Sequence, residues 1–171
     1  MCLLIGPTGV GKTLLLKRLS SIGKGAFENL GQIPSTIATV GSNLVTVNIH
    51  KKHDITIREL GGSMGPIWQN YYKDCKTVIY MIDVCNRLQV SSACIQLLAL
   101  LTHESLLKTP ILLIFNKIDM PTRMTKSEIE ALFRLQDIIK SAQQVISVVE
   151  ISVHTGHGVQ DVIKWIQKAQ K

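Results

Sequence analysis

Short aliphatic runs take turns along this chain with longer stretches whose apolar positions recur at helical spacing. Residues 3–5, 77–82 and 111–115 are almost continuously apolar, the pattern of strands buried on both faces, and 145–151 reads as the last such strand. Segments 44–49 and 55–60 instead alternate, as half-buried strands do, and Lys51-Lys52-His53-Asp54 between them is a hairpin-sized polar turn. Helical spacing falls near 12–22, 87–103, 125–140 and 158–170. Between 23 and 41 the periodicity lapses, and Gly23, Gly25, Gly31, Pro34 and Gly41 mark a long surface loop. Loops of that length in a compact domain usually carry function.

Strands that alternate with helices predict an α/β fold. The expected form is a mainly parallel six-stranded sheet with one antiparallel strand from the hairpin and helices on both faces. No repeat, linker or low-complexity stretch divides residues 1–171, so one domain is expected, long enough to bury about two-thirds of its unfolded surface.

Composition narrows the class. With 46% hydrophobic and 18% charged residues, the chain has the balance of a folded globule and not of a disordered segment. No apolar run approaches the ~18 residues of a membrane span, and no leader pattern opens the sequence. Cys2 stands where N-myristoylation needs Gly, and no C-a-a-X box closes the chain, so membrane contact is expected to be at most indirect and the location cytoplasmic. Cys2, Cys75, Cys85 and Cys94 form no C-x-x-C pair and read as free thiols, mostly core filler. The spacings His50–His53 and His154–His157 have no Cys or His partners elsewhere and read as solvated loop histidines. Part of the net charge of +7 gathers at the ends, in Lys12, Lys17, Arg18 and Lys24 and in Lys164, Lys168 and Lys171. No aromatic interleaving accompanies it, so nucleic acid is not an expected partner.

The chemistry concentrates in two motifs. The apolar strand Leu3-Leu4-Ile5 runs into Gly6-Pro7-Thr8-Gly9-Val10-Gly11-Lys12-Thr13, a G-x-x-x-x-G-K-T loop that opens a helix. Its glycines admit positive φ, so backbone N–H groups converge on phosphate oxygens, and the helix dipole favours an anion there. Lys12 is placed to reach β- and γ-phosphates, and the Thr13 hydroxyl to bind Mg²⁺. The second motif, Asn116-Lys117-Ile118-Asp119, follows strand 111–115 at the carboxyl end of the sheet, where doubly wound folds bind ligands. A carboxylate at Asp119 can accept from both guanine N1–H and the exocyclic amine, a donor pair adenine lacks. The Lys117 stem can lie over the purine plane, and Asn116 can tie this loop to the phosphate loop. Guanine is therefore the expected base.

With these motifs in place the chain resembles the Ras superfamily of small GTPases and, within it, the ADP-ribosylation factor branch. The residues that carry the resemblance are Ile37-Ala-Thr39-Val-Gly41-Ser-Asn43, Gly61-Gly62, and Pro66-Ile-Trp68 followed by Tyr71-Tyr72. They are similar to I-P-T-I-G-F-N, G-G-Q and P-L-W-x-x-Y of that family, and the likeness spans nearly the whole chain. The resemblance implies the small-GTPase fold, with GTP/GDP and Mg²⁺ as cofactors. Thr39 would bind Mg²⁺ and cover the γ-phosphate, Glu59 would hold Mg²⁺ through water, and the Gly62 N–H would bind the γ-phosphate in the GTP state. Ser152 and Val153 would stand where the family's S-A-K loop touches the guanine carbonyl. Protein effectors and regulators would dock on the switch and interswitch surface of a monomer.

The departures are as informative. Ser63 replaces the glutamine that orients the attacking water, so no catalytic residue is assigned and at most slow GTP hydrolysis is expected. Glu59 replaces an Asp, and its extra methylene must shift something. Ser42 and Arg58 occupy two positions of the family's aromatic effector triad, leaving Tyr71. Trp68 reads as a core anchor in preference to a partner contact. Besides a GTP-dependent switch, two other functions fit the residues: a nucleotide-locked scaffold with essentially no turnover, and more remotely a P-loop phosphotransferase. The last would need lid arginines, and residues 116–140 offer only Arg123 and Arg134.

Overall fold

The computed structural model of the protein describes residues 1–23, 36–48 and 54–169. Its strands follow the apolar runs. β1 (Cys2–Ile5), β4 (Thr77–Asp83) and β5 (Ile111–Asn116) are buried at every position. β2 (Ser42–Asn48) is exposed over its first three residues and alternates from Val45, β3 (Asp54–Leu60) alternates up to its buried end, and β6 (Ile146–Ile151) is half-buried. Together they form one sheet in the order β2-β3-β1-β4-β5-β6. β2 and β3 pair antiparallel with Val45 opposite Ile57, and every other neighbouring pair is parallel. This is the mixed six-stranded sheet that the hydrophobic pattern predicts.

The period-2 alternation of the strands divides the core into two layers. Leu3, Ile5, Tyr80 and Phe115 face one layer, with α2 (Arg87–Leu101), α3 (Lys126–Phe133) and α4 (Leu135–Ser141) packed over them. Cys2, Leu4, Ile79 and Ile114 face the other, under α1 (Lys12–Gly23) and α5 (Val159–Ala169). α5 buries Val159, Val162, Ile163 and Ile166, an i, i+3, i+4, i+7 stripe. Asn86 starts α2 by accepting the Gln89 N–H at 3.2 Å, and Thr125 with Glu128 closes a capping box on α3.

Two features depart from the expected pattern. The helix expected over 125–140 is broken at Arg134, whose backbone is left-handed (φ 47, ψ 46). Phe133 and Leu135 are both buried, at 2% and 4% exposure. Two residues of one continuous helix stand about 200° apart around its axis, so both reach the core only if the chain turns between them. The other departure is Gly62–Asp74, a 3₁₀ segment that contains Pro66 and turns Met64, Trp68, Tyr71 and Tyr72 toward the first core layer. It is held by Trp68 and Tyr72, which are buried in the first core layer. The Trp68 ring is 2% exposed, meets Tyr80 edge-on at 6.3 Å, and is the expected core anchor.

Of the long loop expected over 23–41, residues 24–35 lie outside the described residues. Gly23 closes α1, and 36–41 form no regular element. The hairpin turn with His50 and His53 also lies outside. Cys2 is buried and Cys75, Cys85 and Cys94 are half-buried free thiols, while His154 and His157 are exposed. Among the described residues no group of three metal-ligating side chains gathers, and no helix is long and apolar enough to cross a membrane.

Candidate nucleotide-binding site

The site forms at the carboxyl ends of β1, β3, β4 and β5. After Ile5 the chain turns through Gly6, Gly9 and Gly11, all at positive φ (146°, 81° and 99°). Gly6 has a second constraint: a Cβ there would stand 2.2 Å from the Met81 carbonyl oxygen. α1 then begins at Lys12, whose side chain folds back under the loop. Lys12 is 5% exposed, and its Nζ donates to the Gly6 and Pro7 carbonyls at 2.7 and 2.8 Å. Burial pulls its pKa down to about 8 and the nearby Glu59 opposes that shift. An ammonium held away from water by two neutral carbonyls is well suited to an anion brought to the same loop.

Three oxygen-bearing side chains meet beside it. The hydroxyls of Thr13 and Thr39 lie 2.9 Å apart, and both donate to Glu59 Oε1, Thr39 at 3.1 Å. Glu59 is fully buried, and its second oxygen, Oε2, has no hydrogen-bond partner. A dry carboxylate oxygen next to two hydroxyls is a hard-oxygen donor set, and it fits Mg²⁺. The Glu59 carboxylate is thus in direct contact with both hydroxyls. Gly62 closes this end of the site: a Cβ on it would stand 2.1 Å from the Thr8 nitrogen, so its backbone lies against the phosphate loop. The approach is pinned by the Gly61 N–H, which donates to the Gly41 carbonyl at 2.9 Å, and by Trp68 Nε1, which donates to the Gly61 carbonyl at 3.1 Å. Ser63 is exposed.

At the other end, Asn116 joins three segments. Its Nδ2 donates to the Val10 carbonyl at 2.8 Å and its Oδ1 accepts the Val153 N–H at 3.0 Å, all buried. Lys117 adopts the left-handed region (φ 74) and its ammonium lies 2.5 Å from Asp83 Oδ2. The Asp119 carboxylate stands 3.9 Å from His154 Nδ1. Ser152 and Val153 are buried, and the Ser152 hydroxyl accepts the Thr155 N–H at 3.0 Å.

A cavity of about 300 Å³ runs between the two ends. Thr8, Gly9, Gly11, Lys12, Thr13, Thr39, Glu59, Gly62 and Lys117 line it, together with Leu14 and the exposed stretch Thr36–Ala38. Gly6, Pro7, Val10 and Asn116 support the lining from behind. Asp119, Ser152 and Val153 do not line it; Val153 is joined through its N–H to Asn116, the neighbour of Lys117.

Sequence reasoning missed three contacts. Asp83 closes a fully buried strand with a charge at the carboxyl edge of the sheet, a signal that could have been read. Gln89 Nε2 donates to the Thr8 carbonyl at 3.1 Å, and an Arg18 nitrogen donates to the His154 carbonyl at 2.7 Å. Neither of these has a motif to announce it. On the interswitch face Ser42 is exposed, and the Arg58 guanidinium sits 5.5 Å from the centre of the Tyr71 ring. One departure from the aromatic triad thus rests on the aromatic that remains.

The profile of the ADP-ribosylation factor family matches residues 1–170. The chain is 47% identical to human ADP-ribosylation factor-like protein 16, over all of this chain and 86% of that protein. It is 30% identical to ADP-ribosylation factor-like protein 3 of Saccharomyces cerevisiae, over 96% of this chain and 82% of the other. Among solved structures, the Arl6 small GTPase of Trypanosoma brucei, which carries the bound nucleotide analogue GppNp, superposes with a TM-score of 0.82 at 21% identity. That match covers 99% of this chain and 96% of the other, and shows the shared fold. On its sequence, its sheet and its relatives, the chain belongs to the ADP-ribosylation factor family of small GTPases.

Proposed function

We propose that the protein is a guanine-nucleotide switch that holds GTP or GDP with Mg²⁺ and recruits protein partners in the GTP state. The observation that carries this reading is the convergence on one cavity of Lys12, Thr13, Thr39, Glu59, Gly62 and Lys117, drawn from separate stretches of the chain. Bound Mg²⁺ would neutralise phosphate charge, held by Thr13 and Thr39 with Glu59 behind them. Lys12 binds the β- and γ-phosphates, and Gly62 turns its backbone toward the phosphate loop. Asp119 reads the base, Asn116 holds the base loop on the phosphate loop, and Ser152–Val153 close the far side.

Thr39 and Gly62 belong to the two segments that a γ-phosphate would order, which couples bound nucleotide to surface shape. Ile37 and Val40 are each 93% exposed, Leu44 56% and Ile67 44%, an apolar surface on and beside those segments for a protein partner. The protein acts as a cytoplasmic monomer, without nucleic acid. Ser63 favours slow intrinsic turnover, because its hydroxyl is too short to bridge the attacking water and the γ-phosphate as glutamine does. The same residue supports a second reading, a nucleotide-locked scaffold; partner capture by the GTP-analogue form but not the GDP form separates the two.

The test of base and site is a competition binding assay. GDP should displace a labelled guanine nucleotide while ADP does not. Asp119→Asn should weaken GDP and GTP together and admit xanthosine diphosphate. Retained guanine affinity in that variant would remove Asp119 from the base site.

A further inference from the structure

We propose that Asp83 is a positioning residue for the purine, one that moors Lys117 so that its methylene stem becomes a fixed face of the base site. The inference rests on the nucleotide-binding reading and adds to it a residue outside both motifs.

Asp83 ends β4, and its register partner on β5 is Asn116, the residue immediately before Lys117. The two strand ends are locked by the Val84 N–H, which donates to the Asn116 carbonyl at 3.1 Å. The Asp83 side chain is 8% exposed and that of Lys117 36%. Each carboxylate oxygen has its own partner. Oδ1 accepts the Cys85 N–H at 2.9 Å, and Oδ2 meets the Lys117 ammonium at 2.5 Å. The carboxylate is therefore fixed by the backbone and cannot follow the lysine; the lysine must come to it. Lys117 leaves its backbone at φ 74 and lines the cavity, while its charged tip lies on β4. Its charge is thus spent on protein, and the apolar stem is what a planar base would meet.

A free lysine stem samples many rotamers, and ordering one on binding costs affinity. Mooring removes that cost before the nucleotide arrives, so its loss should appear in nucleotide release. The two partners are unequal. Removing the carboxylate frees a half-exposed lysine to reach water, whereas removing the ammonium strands a buried carboxylate.

The decisive variant is Asp83→Asn. It keeps the acceptor for the Cys85 N–H but turns an amide N–H toward the ammonium. Release of a fluorescent GDP from the Mg²⁺-loaded protein should quicken by about fivefold to tenfold, which at 1.4 kcal/mol per decade is about 1–1.4 kcal/mol and lies within the cost of ordering one long side chain. A fluorescent GTP analogue should respond equally. In the Lys117→Met background the same change should add less than twofold, because there is nothing left to moor. Unchanged release in Asp83→Asn, or equal acceleration in both backgrounds, would overturn the proposal and leave Asp83 a structural residue. Should Asp83→Asn not fold, Lys117→Arg and Lys117→Met carry the question. Arg keeps the ion pair and should stay within about threefold of the parent, Met should not, and equal rates would refute mooring. A parent protein that holds no guanine nucleotide would instead refute the nucleotide reading itself.

Discussion

Asn116 is where the fold and the site are most tightly bound together, and its replacement by alanine should show that in numbers. The residue is 2% exposed, with one buried hydrogen bond to the Val10 carbonyl and one from the Val153 N–H. Alanine removes both bonds at once and leaves two buried backbone groups unpaired. Each orphaned group costs about 1–3 kcal/mol, so the loss should be about 2–6 kcal/mol unless water enters. The consequence extends beyond stability, because those two bonds are what hold the phosphate loop and the Ser152–Val153 loop to the end of β5. Equilibrium urea unfolding of the nucleotide-free protein measures the first effect and stopped-flow release of a fluorescent GDP the second. Asn116→Asp supplies a control: it keeps an acceptor for the Val153 N–H but sets a carboxylate against the Val10 carbonyl. It should be destabilised at least as much as the alanine variant at neutral pH. A destabilisation below about 1 kcal/mol for Asn116→Ala, with unchanged release, would show that the three segments do not depend on this side chain.

Two further outcomes follow from single contacts. Lys12→Ala should weaken GDP and GTP alike, by about 1.5–3 kcal/mol for a lost charge-assisted hydrogen bond, in a titration of each nucleotide; a loss confined to GTP would move Lys12 to a purely γ-phosphate role. Arg134→Gly should stabilise the fold by about 1 kcal/mol in thermal or urea unfolding, since glycine takes φ 47 without the left-handed penalty. The pair it gives up, Arg134–Asp137, has side chains 80% and 59% exposed and contributes little. A destabilised Arg134→Gly would mean that the exposed pair, not the backbone, sets the turn.

What could be read from the sequence, and what could not, divides along physical lines. The strands were legible because burial on both faces requires unbroken apolar runs, and β4 and β5 show that pattern with little interruption. The glycine turn after β1 and the tie that Asn116 makes to it were legible because backbone geometry and hydrogen-bond chemistry constrain residue type at fixed spacing. Arg134 was not, because nothing local announces a left-handed arginine; the competing demands of buried Phe133 and Leu135 decide it. The segment at 62–74 was legible only in part: Trp68 was readable as the anchor of a helix here, but its 3₁₀ form, with Pro66 inside it, was not. Asp83 lies between these cases. An acid at the end of a buried strand was visible, but its partner Lys117 is distant in sequence and becomes a neighbour only when β4 and β5 pair.

The central claim is that this site takes a guanine nucleotide and turns it over slowly, and one preparation tests both halves. The nucleotide that copurifies with the protein should be identified by chromatography, and the protein should then be loaded with GTP and followed in Mg²⁺ under single-turnover conditions. The account predicts a guanine nucleotide and GTP decay on the order of 10⁻⁴ s⁻¹ or slower, as for small GTPases without an activating partner. A copurified adenine nucleotide would contradict the role given to Asp119. Decay approaching one per second in the isolated protein would contradict the reading of Ser63, because some other residue would then be placing the water.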